Sequence, residues 1–89
     1  MNNGFNIQFG SLYCFRNVTK SCYRPDLSGD TETLMLFPGT MFVPLDLTNF
    51  KVRIGEQKWY KLKILLTNGE IWYTDLTQEV IEFLKPITV

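Results

Sequence analysis

The sequence predicts an all-β fold: a small antiparallel barrel of about five strands with one short helical turn near the C-terminus. Three observations carry this. Asn68-Gly69 separates two runs rich in apolar and aromatic residues, the strongest short-range signal of a β-hairpin. Short apolar runs elsewhere are punctuated by Gly10, Ser28-Gly29 and Pro38-Gly39, residues that mark turns. Only 77–84 has a helical pattern, so no helical layer is available to cover a sheet.

The elements follow in order. Phe5, Ile7 and Phe9 alternate before Gly10, which reads as an edge strand or an arm over residues 1–9; residues 10–89 form the single barrel domain. Residues 11–18 read as a strand and 17–30 as a loop marked by Arg24-Pro25-Asp26 and Ser28-Gly29-Asp30. A strand over 31–37 ends at Pro38-Gly39, a pair suited to a type II turn. In the next run, 40–45, Pro44 implies an edge or a bent strand.

The central hairpin spans Trp59 to Thr74. Asn-Gly suits a two-residue type I′ turn, in which Thr67 faces Glu70, Leu66 faces Ile71, Leu65 faces Trp72 and Ile64 faces Tyr73. Alternation then sorts the side chains into two sets. Tyr60, Leu62, Ile64 and Leu66 share a core face with Ile71 and Tyr73. Trp59, Lys61, Lys63, Leu65 and Thr67 share the other with Glu70, Trp72 and Thr74. Downstream, Asp75 and Gln78 have the spacing of a capping box, and Pro86 ends the helical turn before a short closing strand.

Composition limits the function classes. Nine basic and nine acidic side chains cancel, so no global charge attracts nucleic acid or an anionic membrane. No run of about 18 apolar residues is present, and the first residues lack the basic-then-apolar pattern of a signal peptide, which implies a cytoplasmic protein. Cys14 and Cys22 read as free thiols there; a disulfide across a hairpin around 17–20 is the alternative. Two cysteines without a histidine do not complete a zinc site, and no metal or cofactor is expected. Glu79 and Glu82 read as a solvated helical face, and Asp26, Asp30 and Glu32 as a solvated acidic loop. No nucleophile stands beside a base, so the chain does not read as an enzyme.

The informative chemistry is basic and aromatic. Lys51, Arg53, Lys58, Lys61 and Lys63 fall within thirteen residues, with only Glu56 as a counter-charge. Beside Trp59 and Trp72, these cations suit a phosphate-bearing ligand whose base stacks on a ring, with Lys51, Arg53 and Lys58 as the phosphate-binding set. In the alternative, the lysine stems lie over Trp59, Leu65 and Trp72 and keep a half-buried edge soluble.

The layout resembles the SH3-like barrels, specifically small stand-alone proteins of tailed bacteriophages. The residues that carry the likeness are Gly10 to Cys14 as opening strand, Pro38 to Leu45 as bent second segment, the Tyr60–Tyr73 hairpin and the closing turn Val80 to Leu84. The chain lacks the Ala-Leu-Tyr-Asp-Tyr segment and Trp-Trp pair through which signalling relatives read proline-rich peptides. The resemblance implies a small accessory protein that acts by binding, blocking a host protein or sequestering a host signal.

The resulting expectation is a non-enzymatic binding protein. Its partner is a protein, or a second copy of itself, docked on Trp59, Lys61, Lys63, Leu65 and Trp72. The alternative is a sponge for a small phosphorylated nucleotide, or a single-strand nucleic-acid reader, on the same Lys/Trp face. On the first reading, truncating either tryptophan weakens binding and leaves the monomer folded.

Overall fold

A computed structural model describes residues 6–49 and 58–87. Its elements are β1 (Tyr13–Phe15), β2 (Lys20–Pro25), β3 (Thr31–Leu36), β4 (Phe42–Asn49), β5 (Trp59–Leu66), β6 (Ile71–Thr77), α1 (Gln78–Ile81) and β7 (Leu84–Pro86). The strands form one antiparallel sheet in the order β3-β2-β6-β5-β4-β1-β7. The fold is all-β, as the sequence predicts, but the sheet has seven strands and stays open, with β3 and β7 at its edges. The proposed arm lies partly outside the described residues: 1–5 are not described, and 6–9 form no strand.

The extra strands have a physical origin. Lys20-Ser-Cys-Tyr-Arg-Pro has little apolar alternation, yet it pairs with β3 along its whole length and with β6 through Cys22 and Tyr23. Its core-facing side chains include Cys22, which is fully buried, and Arg24, whose charge is answered by Glu32 and Glu70 at 3.0 and 3.1 Å. Pro25 closes the strand, where its missing N–H interrupts little. Tertiary pairing makes this strand; propensity does not.

The central hairpin forms where the sequence places it, but one residue out of register. Leu66 N donates to Glu70 O at 2.8 Å and Gly69 N to Leu66 O at 2.9 Å. Only Gly69 takes a positive φ (87°); Asn68 does not. The connection is therefore a three-residue loop, a type I turn followed by a left-handed glycine. Asn68 stabilises it differently from the expected way: its Oδ1 accepts from Glu70 N at 3.0 Å, and its Nδ2 donates to Glu70 Oε1 at 2.9 Å. The β2–β3 loop repeats this design, with Gly29 N donating to Asp26 O and Asp26 N to Asp30 O.

The slip changes the faces of β6. Ile64 lies opposite Trp72, Leu62 opposite Thr74 and Tyr60 opposite Leu76. The core assignment of Leu62 and Ile64 holds, for both are fully buried, but their mates are Trp72, Thr74 and Leu76 rather than Ile71 and Tyr73. A one-residue slip moves every side chain of a strand to the opposite face. The inner face of the curled sheet packs these residues with Tyr13, Phe15, Leu36, Phe42, Ile81 and Leu84. Each large apolar side chain buried there contributes about 1.5–3 kcal/mol. Thr74 is the buried polar member, and its hydroxyl donates to the Ser21 carbonyl at 3.0 Å, so its burial leaves no donor unpaired.

β4 is not an edge strand. It runs between β5 and β1, and its register shifts between Pro44 and Asp46. That bulge bends the strand next to Pro44, so the bent-strand alternative is the one realised. Phe37-Pro38-Gly39-Thr40 makes the expected turn, with Thr40 N donating to Phe37 O and Gly39 at φ 86°. It carries the chain from edge strand β3 toward β4 without pairing the two. At the helical turn, the N-cap is Thr77 and not Asp75: the Thr77 hydroxyl accepts from Val80 N at 3.4 Å. Asp75 stays in β6. Among the described residues no helix is long and apolar enough to cross a membrane.

Candidate functional site

The outer face of the sheet follows from the same register. Lys63 lies opposite Tyr73 on one side and Asp46 on the other; Lys61 lies opposite Asp75 and Thr48; Trp59 lies opposite Thr77 and Leu65 opposite Ile71. Tyr23 lies opposite Tyr73 on the next strand. Five strands thus set Asp46, Lys63, Tyr73, Tyr23 and Thr33 in one row across the sheet.

At the centre of this face the two tyrosine rings stack, 6.0 Å between centroids and 29° between planes. The ammonium of Lys61 stands 4.8 Å from the Tyr73 ring centroid and 5.9 Å from that of Tyr23, within reach of a cation–π attraction. The Tyr23 hydroxyl donates to Asp75 Oδ1 at 2.7 Å. Burial, and then that hydrogen bond, hold the phenol protonated well above its usual range. Tyr23 thereby stays neutral, stacked on Tyr73 beneath a cation.

Of the sequence-predicted residues, Trp59, Lys61, Lys63 and Leu65 share this face, all half-buried. Trp72 does not. It turns inward, 4% exposed, with the Arg24 guanidinium 4.4 Å from its ring centroid and its Nε1 donating to Glu70 Oε1 at 3.3 Å. The slipped register explains the separation. The Asn68 amide, then the Trp72 indole, hold Glu70 below its ordinary carboxylate range, and Arg24 joins Glu70 to Glu32 across the sheet. Lys58 is exposed; Lys51 and Arg53 lie outside the described residues. The Trp59 Nε1 is buried and meets no acceptor among the described residues.

Sequence reasoning missed Tyr23, Tyr73 and Asp75. A two-residue turn puts Tyr73 on the core face, and the turn residues around Tyr23 make 17–30 read as a loop. The usable signal is Cys22-Tyr23, a small apolar residue beside an aromatic one, as in an alternating strand.

Cys14 and Cys22 are free and buried, on strands that do not pair with each other. Burial is the main cause that pushes the Cys22 thiol up to about 11, so at neutral pH it carries no nucleophilic thiolate. Asp26 Oδ1 accepts from Ser28 N and Asp30 N, both at 2.9 Å, and from Ser28 Oγ at 2.7 Å, holding its own loop together. Among the described residues no cluster of Cys, Asp or Glu is arranged to hold a metal ion.

No family model, no curated protein and no solved structure matches this chain.

Proposed function

We propose that this chain is a non-enzymatic binding protein that docks a protein partner on the outer face of β2, β6 and β5. The observation that supports this is the stacked Tyr23–Tyr73 pair with Lys61 above it, on the face of the sheet opposite the one that packs the core. Trp59, Leu65 and the 41%-exposed Ile71 supply apolar area around it, while Lys63, Asp46 and Asp75 supply charge of both signs. Aromatic anchors bordered by mixed charge are the composition of a protein interface. The lysine positions are set beside aspartates in the ladder, which suits a partner of mixed charge better than a polyanion.

The kinship with phage-encoded SH3-like proteins, and with it a host-cell cytoplasm, a host target and an anti-defence role, belongs to the same proposal. The segments that carry the resemblance fall on β1, β4, β5, β6 and α1, and those strands, with β7, are contiguous in the sheet as β7-β1-β4-β5-β6. The second reading is a small phosphorylated nucleotide or a nucleic-acid strand. It is favoured by Lys63, which forms no ion pair among the described residues and borders the tyrosine platform.

The test is a site-specific photocrosslinker placed at Lys63 in host-type lysate, with Tyr73→Ala and Lys61→Glu as variants. A protein adduct is expected, reduced by both variants in the proportion of about 2 kcal/mol of lost affinity, roughly 30-fold. Adduct yields unchanged in both variants would sink the protein reading. Nucleotide binding that weakens steeply with salt would replace it with the second.

A further inference from the structure

The two edges of the sheet are built differently. β7 has three residues, including Lys85 and Pro86, both exposed. A short edge with a lysine and a proline is protected against pairing. β3 at the other edge has six residues, Thr31-Glu32-Thr33-Leu34-Met35-Leu36, with no lysine, proline or bulge. Its one charge, Glu32, is already bound to Arg24 at 3.0 Å.

The hydrogen-bond phase of the β2–β3 ladder says what the open edge offers. Asp26 N donates to Asp30 O at 2.7 Å, which makes that pair a hydrogen-bonded one. Antiparallel pairs alternate between bonded and non-bonded. Counting along the register, Arg24–Glu32, Cys22–Leu34 and Lys20–Leu36 bond inward, and Thr31, Thr33 and Met35 point their N–H and C=O groups away from β2. All three residues are exposed, Met35 to 53%.

We infer that a second copy of this chain pairs with β3 antiparallel across a two-fold axis at Thr33, continuing the sheet from one copy into the other. In that register Thr33 bonds to its own mate and Thr31 to Met35 of the second copy, so every outward N–H and C=O finds a partner. Glu32 meets Leu34 rather than another glutamate. The strand is its own complement, which is the condition for a closed two-fold interface. A net charge of zero adds no repulsion between copies. Pairing also covers Met35, which the monomer leaves in water.

The edge adjoins the tyrosine face, where Thr33 lies opposite Tyr23, but it pairs through backbone groups, and the experiment keeps the two apart. Solution mass is measured over about 1–100 µM, a range that brackets a micromolar association, for the wild type, Thr33→Pro, Met35→Lys and Tyr73→Ala. The wild type and Tyr73→Ala are expected to be dimers at the upper end. Thr33→Pro removes only an outward N–H, and Met35→Lys adds an edge charge at an exposed site. Both are expected to raise the dissociation constant by about tenfold or more, with unchanged far-UV circular dichroism. Should proline at 33 unfold the chain, Met35→Lys alone decides. A wild type that stays monomeric throughout, including one that binds only strands of other proteins, overturns the inference. So does a dimer that survives Met35→Lys.

Discussion

Replacing Trp72 by Ala is expected to destabilise the fold by about 3–5 kcal/mol. The side chain is 4% exposed and lies among Ile64, Arg24 and Glu70, so its removal opens a cavity and also frees partners that were arranged around it. A domain of this size has a total stability of about 5–10 kcal/mol, so the variant retains little margin. Urea unfolding followed by circular dichroism measures the loss. Trp59→Ala is the control, since Trp59 is half-buried and its indole N–H is unpartnered among the described residues. A Trp72→Ala as near-neutral as Trp59→Ala would mean that the hairpin pairs through a two-residue turn after all, with both rings on the outer face. The two tryptophans, equivalent in the sequence-based reading, are expected to behave oppositely.

Phe42→Ala is expected to cost a similar amount, about 3–5 kcal/mol. Phe42 is fully buried, its ring centroid is 5.3 Å from that of Phe15, and its backbone stands opposite both Leu66 of β5 and Tyr13 of β1. It therefore joins the central hairpin to the strands at the far edge. A double-mutant cycle with Phe15→Leu and Phe42→Leu should show a coupling of about 0.5–1.5 kcal/mol from the ring pair. Additive losses in that cycle would mean that the rings are neighbours without mutual stabilisation, and the junction would rest on burial alone.

The places where the sequence was readable are those where local chemistry decides the outcome. Pro38-Gly39 makes its turn from two residues whose backbone preferences agree. The Trp59–Thr74 hairpin forms from apolar runs on either side of Asn-Gly. Its register was not legible, because Asn-Gly serves a two-residue turn and also a three-residue one in which only glycine is left-handed. The runs do not break the tie, since Leu65, Leu66, Ile71 and Trp72 are apolar in both phases. β2 was hidden for a different reason: its core side includes Arg24, whose acceptability depends on Glu32, Glu70 and Trp72, residues brought to it by the fold. The candidate site inherits both effects. Lys61, Lys63, Leu65 and Trp59 were placed by alternation within β5, which the slip does not touch. Tyr23 and Tyr73 required the correct register and the unseen strand.

Tyr13 of β1 is paired with Pro86 of β7, near the two ends of the described chain. The β2–β3 and β5–β6 hairpins close short loops and are accessible on a microsecond timescale. The β1–β7 ladder gains its contacts only after almost everything between has been ordered, so loop-closure entropy opposes it until late. Kinetics should therefore divide the molecule where equilibrium stability does not. Weakening Phe15 or Leu84 would chiefly accelerate unfolding, whereas disturbing the turn at Gly69 would chiefly slow folding. On that expectation the ladder that forms last acts as the latch, and unfolding kinetics of Phe15 and Leu84 variants measure how far resistance to opening rests on β1.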